Sequence, residues 1–144
     1  AGLHSRVAAA VLSLALLLWQ RSQGAAAQRR PRLLDACCGT GTLAATAAAS
    51  QRFSSVVAFE LDEAFAGRVP GNLKHVGVGP GAVEVFVHDA AGPLPEGVRA
   101  RPPDIVVANP PWGWRLRVKA SAEEAAAEAP DDEDPAEGET ALDA

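Results

Sequence analysis

The sequence predicts an α/β protein in which parallel strands alternate with helices, and three observations support this prediction. Short β-branched runs alternate with runs rich in alanine and leucine, as is typical of a parallel sheet covered by helices. A Gly-x-Gly turn, Gly39-Thr40-Gly41, separates the first strand from a helix. Each predicted strand also ends beside Asp, Glu or Asn. In such sheets the carboxyl ends of the strands form the edge where ligands bind.

Charge divides the 144 residues into two parts. All thirteen Lys and Arg residues lie in residues 1–119, whereas residues 120–144 contain ten acids and no base. The second part is poor in large apolar side chains, so we expect an acidic disordered tail after one domain of residues 1–119. A mildly basic domain suits an anionic partner, but it is weak evidence for nucleic acid.

The amino-terminal residues 3–20 are apolar on nearly every face and rich in helix formers. Their apolar run, residues 7–19, is shorter than the about 20 residues that span a bilayer, so no membrane partner is predicted. Two alternatives stay open. The run is either a buried helix packed on the sheet or a targeting peptide, with Arg6 before it and Ala25-Ala26-Ala27 as a cleavage site.

The remaining elements follow from short patterns. Four short, mostly apolar runs predict strands, at residues 33–35, 55–60, 83–88 and 104–108. Compact helices are predicted at residues 42–50 and 61–69, and Pro70-Gly71 should kink or end the second. We interpret residues 76–82 and 90–103 as loops. Four polar side chains then share the carboxyl edge of the sheet: Asp35, Glu60, Asp89 and Asn109.

The two cysteines, Cys37 and Cys38, are adjacent in the chain. Neighbouring cysteines rarely form a disulfide, because its geometry is strained. No further Cys or His nearby completes a zinc site, which needs four ligands. We therefore interpret both as small, half-buried residues at a strand end and predict no metal.

The first motif admits two ligands. Gly39-x-Gly41-x-x-Ala44, with Glu60 about 20 residues further on, satisfies the dinucleotide fingerprint and suggests a nicotinamide enzyme. Asp35 argues against it, because a carboxylate beside this turn would repel a pyrophosphate. A methyl donor instead brings a positive ammonium and sulfonium to this position. Glu60 can then accept both ribose hydroxyls, and Asp89 can accept the adenine amino group.

The second motif, Asn109-Pro110-Pro111-Trp112, suits an amine whose lone pair is delocalised into a π-system. The Asn109 side-chain oxygen and the Pro110 carbonyl can each accept one N–H and so draw the lone pair out of the plane. Two prolines fix the backbone that aims this carbonyl. Trp112 offers a flat face on which the substrate stacks.

These residues resemble a known family. DACCGTGT, the acid of FELDE, the Asp of VHDA and DIVVANPPWG resemble the class I S-adenosylmethionine-dependent amino-methyltransferases, and most of all the THUMP-associated RNA guanine-N2 methyltransferases. The resemblance covers residues 3–118 and implies a Rossmann-like sheet with S-adenosyl-L-methionine as cofactor. It implies a donor site formed by Asp35, Cys37, Gly39, Gly41, Glu60 and Asp89. It also implies a target-amine site formed by Asn109, Pro110, Pro111 and Trp112.

The resemblance further implies that the substrate is guanine N2 of tRNA or rRNA. Nothing in the sequence requires disulfides, so we expect the protein to be intracellular and cytoplasmic. Three departures stand against the resemblance. Ala36 replaces the usual proline, and Pro70-Gly71 interrupts the second helix. Class I sheets have seven strands, and three of them follow the NPP strand. Only residues 114–119 and the acidic tail follow it here, so we expect this sheet to be truncated after the fourth strand. Four alternatives remain: an adenine-N6 methyltransferase, a protein glutamine methyltransferase, a non-catalytic remnant, and a nicotinamide oxidoreductase.

Overall fold

A computed structural model describes residues 3–24 and 29–110 of the chain. The described residues form four strands: β1 (Arg32–Asp35), β2 (Ser55–Glu60), β3 (Val83–Val87) and β4 (Ile105–Val107). Every neighbouring pair is parallel, and the spatial order is β3-β2-β1-β4. The predicted Rossmann-like α/β sheet is therefore confirmed. Its strands begin and end within about a residue of the predicted positions.

Five helices accompany these strands: α1 (Ser5–Gln23), α2 (Thr42–Ser50), α3 (Glu63–Ala66), α4 (Val69–His75) and α5 (Glu96–Ala100). The register aligns the strand ends, because Asp35 pairs with Ala58 of β2 and with Val107 of β4. Alternate residues of each strand face opposite sides of the sheet. Leu33 thus belongs to the larger core with α1, α2 and α4, and Leu34 belongs to a smaller core with Val98 of α5.

The amino-terminal helix α1 packs into the larger core. Its buried residues recur at helical spacing: Ala8, Leu12, Leu16 and Trp19. Large apolar side chains also lie exposed on the other side of the helix, Leu14 and Leu18 among them. The structure thus corresponds to the first alternative, a helix packed on the sheet. The predicted cleavage site at Ala25-Ala26-Ala27 lies outside the described residues. Within residues 3–24 and 29–110, no helix has the length and hydropathy needed to cross a membrane.

The helix α2 begins directly after the Gly-x-Gly turn, as predicted. Its N-cap is Gly41, in the left-handed region at φ 90°. A Cβ at Gly41 would lie 2.9 Å from Cγ1 of Val69, so α4 comes too close for any larger residue. Three alanines of α2 are buried against the sheet, and their small size allows this close approach. The turn is therefore fixed both by its backbone conformation and by its packing.

Two sequence predictions about helices are wrong. Residues 61–69 form parts of two helices, α3 and α4, and Pro70 lies in the first turn of α4. A proline there loses no hydrogen bond, because the first N–H groups of a helix have no intrahelical acceptor. Residues 90–103 are also more than a loop, since they contain α5 with buried Val98. The predicted domain boundary at residue 119 and the acidic tail lie outside the described residues.

Candidate functional site

The carboxyl edge of the sheet brings the predicted polar residues to one side of the molecule. Asp35 ends β1 and Glu60 ends β2, while Asp89 and Asn109 each follow a strand by two residues. Backbone hydrogen bonds join these ends. The Ala36 N–H donates to the Val107 carbonyl at 2.8 Å, and the His88 N–H donates to the Glu60 carbonyl at 2.9 Å. The common edge predicted from the sequence is confirmed.

The Gly-x-Gly turn is held by contacts within the protein. The Cys38 N–H donates to the Phe59 carbonyl at 2.9 Å, and the Gly41 N–H donates to the Cys38 carbonyl at 2.8 Å. Gly39 has a positive φ of 55°, and a Cβ placed on it would meet nothing within 4 Å. The turn thus presents an open side at Gly39, where a ligand can approach the backbone closely.

Glu60 clamps this turn from the neighbouring strand. Its Oε2 accepts the Gly39 N–H at 2.7 Å, and its Oε1 accepts the Asp62 N–H at 3.0 Å. Each carboxylate oxygen can accept about two hydrogen bonds. Glu60 therefore keeps one acceptor position on each oxygen, which is what bidentate binding of two ribose hydroxyls requires.

Asp35 is fully buried at the base of the turn, with 0% of its surface exposed. Neither of its carboxyl oxygens has a hydrogen-bond partner among the described residues. Burial above all, with a smaller contribution from the nearby Glu60 carboxylate, raises the pKa of this carboxyl to about 7. The N–H groups of Cys37 and Ala44 lie near enough to lower the pKa without forming hydrogen bonds of standard geometry. Such a carboxyl lacks a cationic partner.

The two cysteines lie in the turn as expected, with Cys37 half-buried and Cys38 buried. Burial, followed by the negative charges of Asp35 and Glu60, raises the pKa of the Cys38 thiol to about 12. The same causes, in the same order, raise the pKa of the Cys37 thiol. Both therefore stay protonated at neutral pH, and nucleophilic chemistry needs the thiolate. We therefore assign both side chains a packing role in the turn beside the carboxyl edge.

The other predicted site residues are less constrained. Asp89 is exposed, and its Oδ1 accepts the Ala91 N–H at 2.9 Å, so its second oxygen remains available. Asn109 is half-buried and Pro110 is exposed at the end of β4. Pro111 and Trp112 lie outside the described residues. Among residues 3–24 and 29–110 there is no group of His, Cys, Asp and Glu side chains that could hold a metal ion.

Sequence reasoning missed Asn72, which supports the turn from α4. Its side-chain Nδ2 donates to the Thr40 carbonyl at 2.8 Å. The signal was available, because Val69-Pro70 matches a helix start with proline in the first turn. A helix that starts at Val69-Pro70 contains Asn72.

Comparison with known proteins gives a family and a shared fold. A family model described as "conserved hypothetical protein 95" matches residues 17–128. Among curated proteins no significant match is found. One solved structure, a protein of Pyrococcus horikoshii provisionally described as an RNA methyltransferase, is 24% identical with a TM-score of 0.56. The match covers 76% of this chain and 47% of that one. This likeness shows the shared fold.

Two further solved structures align less closely. An RNA methyltransferase of Salinibacter ruber, in complex with S-adenosyl-L-homocysteine, is 22% identical with a TM-score of 0.48, over 62% of this chain and 51% of that one. TrmN of Thermus thermophilus is 27% identical with a TM-score of 0.48, over 69% of this chain and 28% of that one. The chain spans about half the length, or less, of these three proteins.

Proposed function

The chain belongs to the family described as conserved hypothetical protein 95, and from this premise we propose that it is an S-adenosylmethionine-dependent RNA methyltransferase. The fold shared with the Pyrococcus horikoshii protein supports the class. The observation that carries the proposal is the carboxyl of Asp35 beneath the glycine turn, which is fully buried and has no hydrogen-bond partner within residues 3–24 and 29–110. A carboxyl in this state suits a ligand that brings positive charge.

The hydrogen bonds of the turn favour this ligand over a dinucleotide. Pyrophosphate sites use the free N–H groups of a glycine turn and helix start. Here the Gly39 N–H donates a hydrogen bond to the Glu60 side chain, and the Gly41 N–H donates one to the Cys38 carbonyl. Carboxyl groups of Asp35 and Glu60 also flank the turn. A nicotinamide cofactor would therefore meet occupied donors and negative charge.

Each residue of the donor site has a distinct role in this proposal. Asp35 holds the ammonium group from below, and the turn at Gly39 lets the ligand approach the backbone. Glu60 accepts the ribose hydroxyls, and Asp89 accepts the adenine amino group through its free oxygen. Cys37 and Gly41 shape the turn. When bound, S-adenosylmethionine supplies an electrophilic methyl group on a sulfonium. A ligand with positive charge on this side is the kind that the site fits.

The acceptor site is the Asn-Pro-Pro-Trp segment at the end of β4. The Ala36–Val107 hydrogen bond fixes this strand end against the residue that follows Asp35. Asn109 and the Pro110 carbonyl accept the two N–H groups of an exocyclic amine, which aims its lone pair outward. Pro111 stiffens the segment and Trp112 stacks on the base. Positioning rather than a strong base then supplies the rate enhancement.

Within this class we propose guanine N2 of tRNA or rRNA as the acceptor, because the NPPW segment most resembles that of the guanine-N2 branch. Adenine N6 and the glutamine amide present the same delocalised amine and remain the alternative acceptors. An RNA acceptor also places the protein inside the cell. The proposed domain comprises residues 1–119, followed by the acidic segment 120–144.

The proposal is tested by methyl transfer from labelled S-adenosylmethionine. The chain is incubated with unmodified tRNA, with rRNA transcripts and with a glutamine-containing release-factor peptide, and the RNA is digested to nucleosides. We expect label in N2-methylguanosine. Label in N6-methyladenosine or in the peptide would replace the acceptor and keep the chemistry. Donor binding without transfer to any substrate would identify a non-catalytic remnant and overturn the proposed activity.

A further inference from the structure

The two edges of the sheet carry opposite charge. The carboxyl edge holds five acids: Asp35, Glu60, Asp62, Glu63 and Asp89. The amino edge, where the strands begin, holds six arginines, with Asp104 and Glu84 as counter-charges. These arginines are Arg21, Arg29, Arg30, Arg32, Arg52 and Arg101. The division is not visible in a count along the chain, because each edge collects residues from distant segments.

Side-chain hydrogen bonds of three of these arginines join neighbouring segments of the fold. Arg29 forms a two-pronged ion pair with Asp104, which immediately precedes β4. Arg30 donates to the Gln51 carbonyl at the end of α2 at 2.9 Å. Arg52 reaches across to the Ser13 hydroxyl of α1 at 3.4 Å. The amino ends of β1, β2 and β4 therefore lie beneath one group of guanidinium side chains.

Two of the six arginines are already neutralised. Arg29 is paired with Asp104 and also lies over the Trp19 ring. Arg32 is buried and lies 3.9 Å from the Glu84 carboxylate. The other four are exposed and, within the described part of the chain, have no carboxylate in ion-pair range. We name them the arginine edge: Arg21, Arg30, Arg52 and Arg101.

We propose that the arginine edge binds the phosphate backbone of the substrate RNA while the reacting base reaches the opposite, acidic edge. This inference rests on the proposed function and names where its RNA is held. The five acids of the carboxyl edge repel a polyanion, so the exposed arginines of the amino edge favour phosphate contacts there. Guanidinium groups suit phosphate because their planar N–H groups bind it in a two-pronged manner.

The geometry allows one RNA to reach both edges. The helix α1 runs beside α2 from the carboxyl edge, at Ser5, to the amino edge, at Arg21. Its 19 residues span about 28 Å. Neither α1 nor α2 contains an acid. An RNA lying along these two helices therefore meets no negative side chain of either helix between the reacting base and the arginine edge.

The test compares two charge-matched variants of the full chain. Arg21→Gln/Arg52→Gln removes two charges from the arginine edge. Arg6→Gln/Arg68→Gln removes two exposed charges near the carboxyl edge. Binding of a fluorescein-labelled RNA stem-loop is followed by anisotropy over a series of KCl concentrations. Thermal melts establish that each variant is folded, and titration with S-adenosylhomocysteine establishes that the donor site is intact.

We expect the arginine-edge variant to bind RNA about tenfold more weakly, with the slope of log affinity against log salt reduced by about 0.7 to 0.9 per lost contact. The control variant should change RNA affinity by less than about twofold, and both should bind S-adenosylhomocysteine as the parent does. Equal losses in both variants would show that only total charge matters and would overturn the inference. Unchanged RNA binding in the arginine-edge variant would also overturn it.

A competition experiment separates RNA from other polyanions. Polyglutamate is added at the same total charge as unlabelled RNA. If it displaces the labelled stem-loop equally well, the arginine edge binds acidic chains in general and the RNA assignment falls. These outcomes are separate from a failure of the proposed function, which would appear as absent S-adenosylhomocysteine binding in the parent.

Discussion

Replacing Asp35 by asparagine should stabilise the fold and weaken the donor site at the same time. Burial raises the pKa of Asp35 from its ordinary 3.8 to about 7, so ionising it inside the fold costs roughly 4 kcal/mol. Asparagine has nearly the same shape and never ionises. Its buried amide lacks partners, which costs about 1 to 3 kcal/mol. We therefore expect Asp35→Asn to exceed the parent by roughly 1 to 3 kcal/mol in unfolding free energy at about pH 8.

The pH dependence gives this prediction its sign. The unfolded chain releases the Asp35 proton near its ordinary pKa, and the folded chain releases it only near pH 7. Stability of the parent therefore falls as pH rises from about 4 to about 7 and is then level. In urea unfolding at several pH values, Asp35→Asn should be less stable than the parent by about 1 to 3 kcal/mol near pH 4 and more stable by roughly 1 to 3 kcal/mol at about pH 8. The difference in stability should therefore change sign across this window. A difference in unfolding free energy that does not change with pH would show that the pKa of Asp35 is not raised in the fold.

The same variant tests the ligand. S-adenosylhomocysteine lacks the sulfonium but keeps the ammonium group, which lowers the pKa of Asp35. Parent affinity for S-adenosylhomocysteine should therefore rise with pH until about 7 and then level off. Asp35→Asn should lose on the order of 2 kcal/mol of donor affinity, as for a charged hydrogen bond, and should lose this pH dependence. Calorimetry measures both. Undiminished affinity in the variant would show that Asp35 does not face the donor.

Three further predictions concern the turn and the acceptor segment. Glu60→Gln replaces the charged acceptor of the Gly39 N–H and should lower S-adenosylhomocysteine affinity about tenfold or more, measured by calorimetry; unchanged affinity would contradict the clamp. Gly41→Ala puts a Cβ 2.9 Å from Val69 at a φ of 90° and should destabilise the fold by about 1 to 3 kcal/mol in urea. In a double-mutant cycle, Val69→Ala should recover part of that loss, and strict additivity would exclude the contact. Asn109→Ala should reduce kcat for methyl transfer by about 100-fold or more with donor Kd unchanged, and a parallel loss of both would move Asn109 to the donor site.

The strands and the shared edge could be predicted because they depend on local patterns. β-branched runs such as residues 55–60 mark buried strands, and parallel pairing places their carboxyl ends together. The prediction for the second helix is wrong because it takes Pro70 as a helix breaker, although Val69-Pro70 is compatible with a helix start and Pro70 lies in the first turn of α4. The short helix α5 was missed since Glu-Gly-Val-Arg-Ala carries no full helical repeat, and only tertiary burial of Val98 reveals it.

Within the site, the sequence predicted which residue types gather but not how they are bonded. From the sequence, Asp35 is expected to be an ionised carboxylate that repels a phosphate. The structure shows a buried carboxyl whose pKa lies near 7, a property that depends on desolvation by the surrounding fold. The hydrogen bond between Glu60 and the Gly39 N–H joins residues that are 21 positions apart in the chain. The hydrogen bond from Asn72 to the Thr40 carbonyl joins residues that are 32 positions apart. No local pattern encodes such long-range bonds.

A calorimetric titration tests whether the carboxyl edge binds an adenosyl ligand that carries an ammonium group. The chain is titrated with S-adenosylhomocysteine, and NAD serves as the control ligand. We expect saturable binding of S-adenosylhomocysteine and none of NAD, because Asp35 has no hydrogen-bond partner among the described residues and the Gly39 and Gly41 N–H groups already donate within the protein. Binding of NAD alone would contradict this expectation and assign the turn to a pyrophosphate.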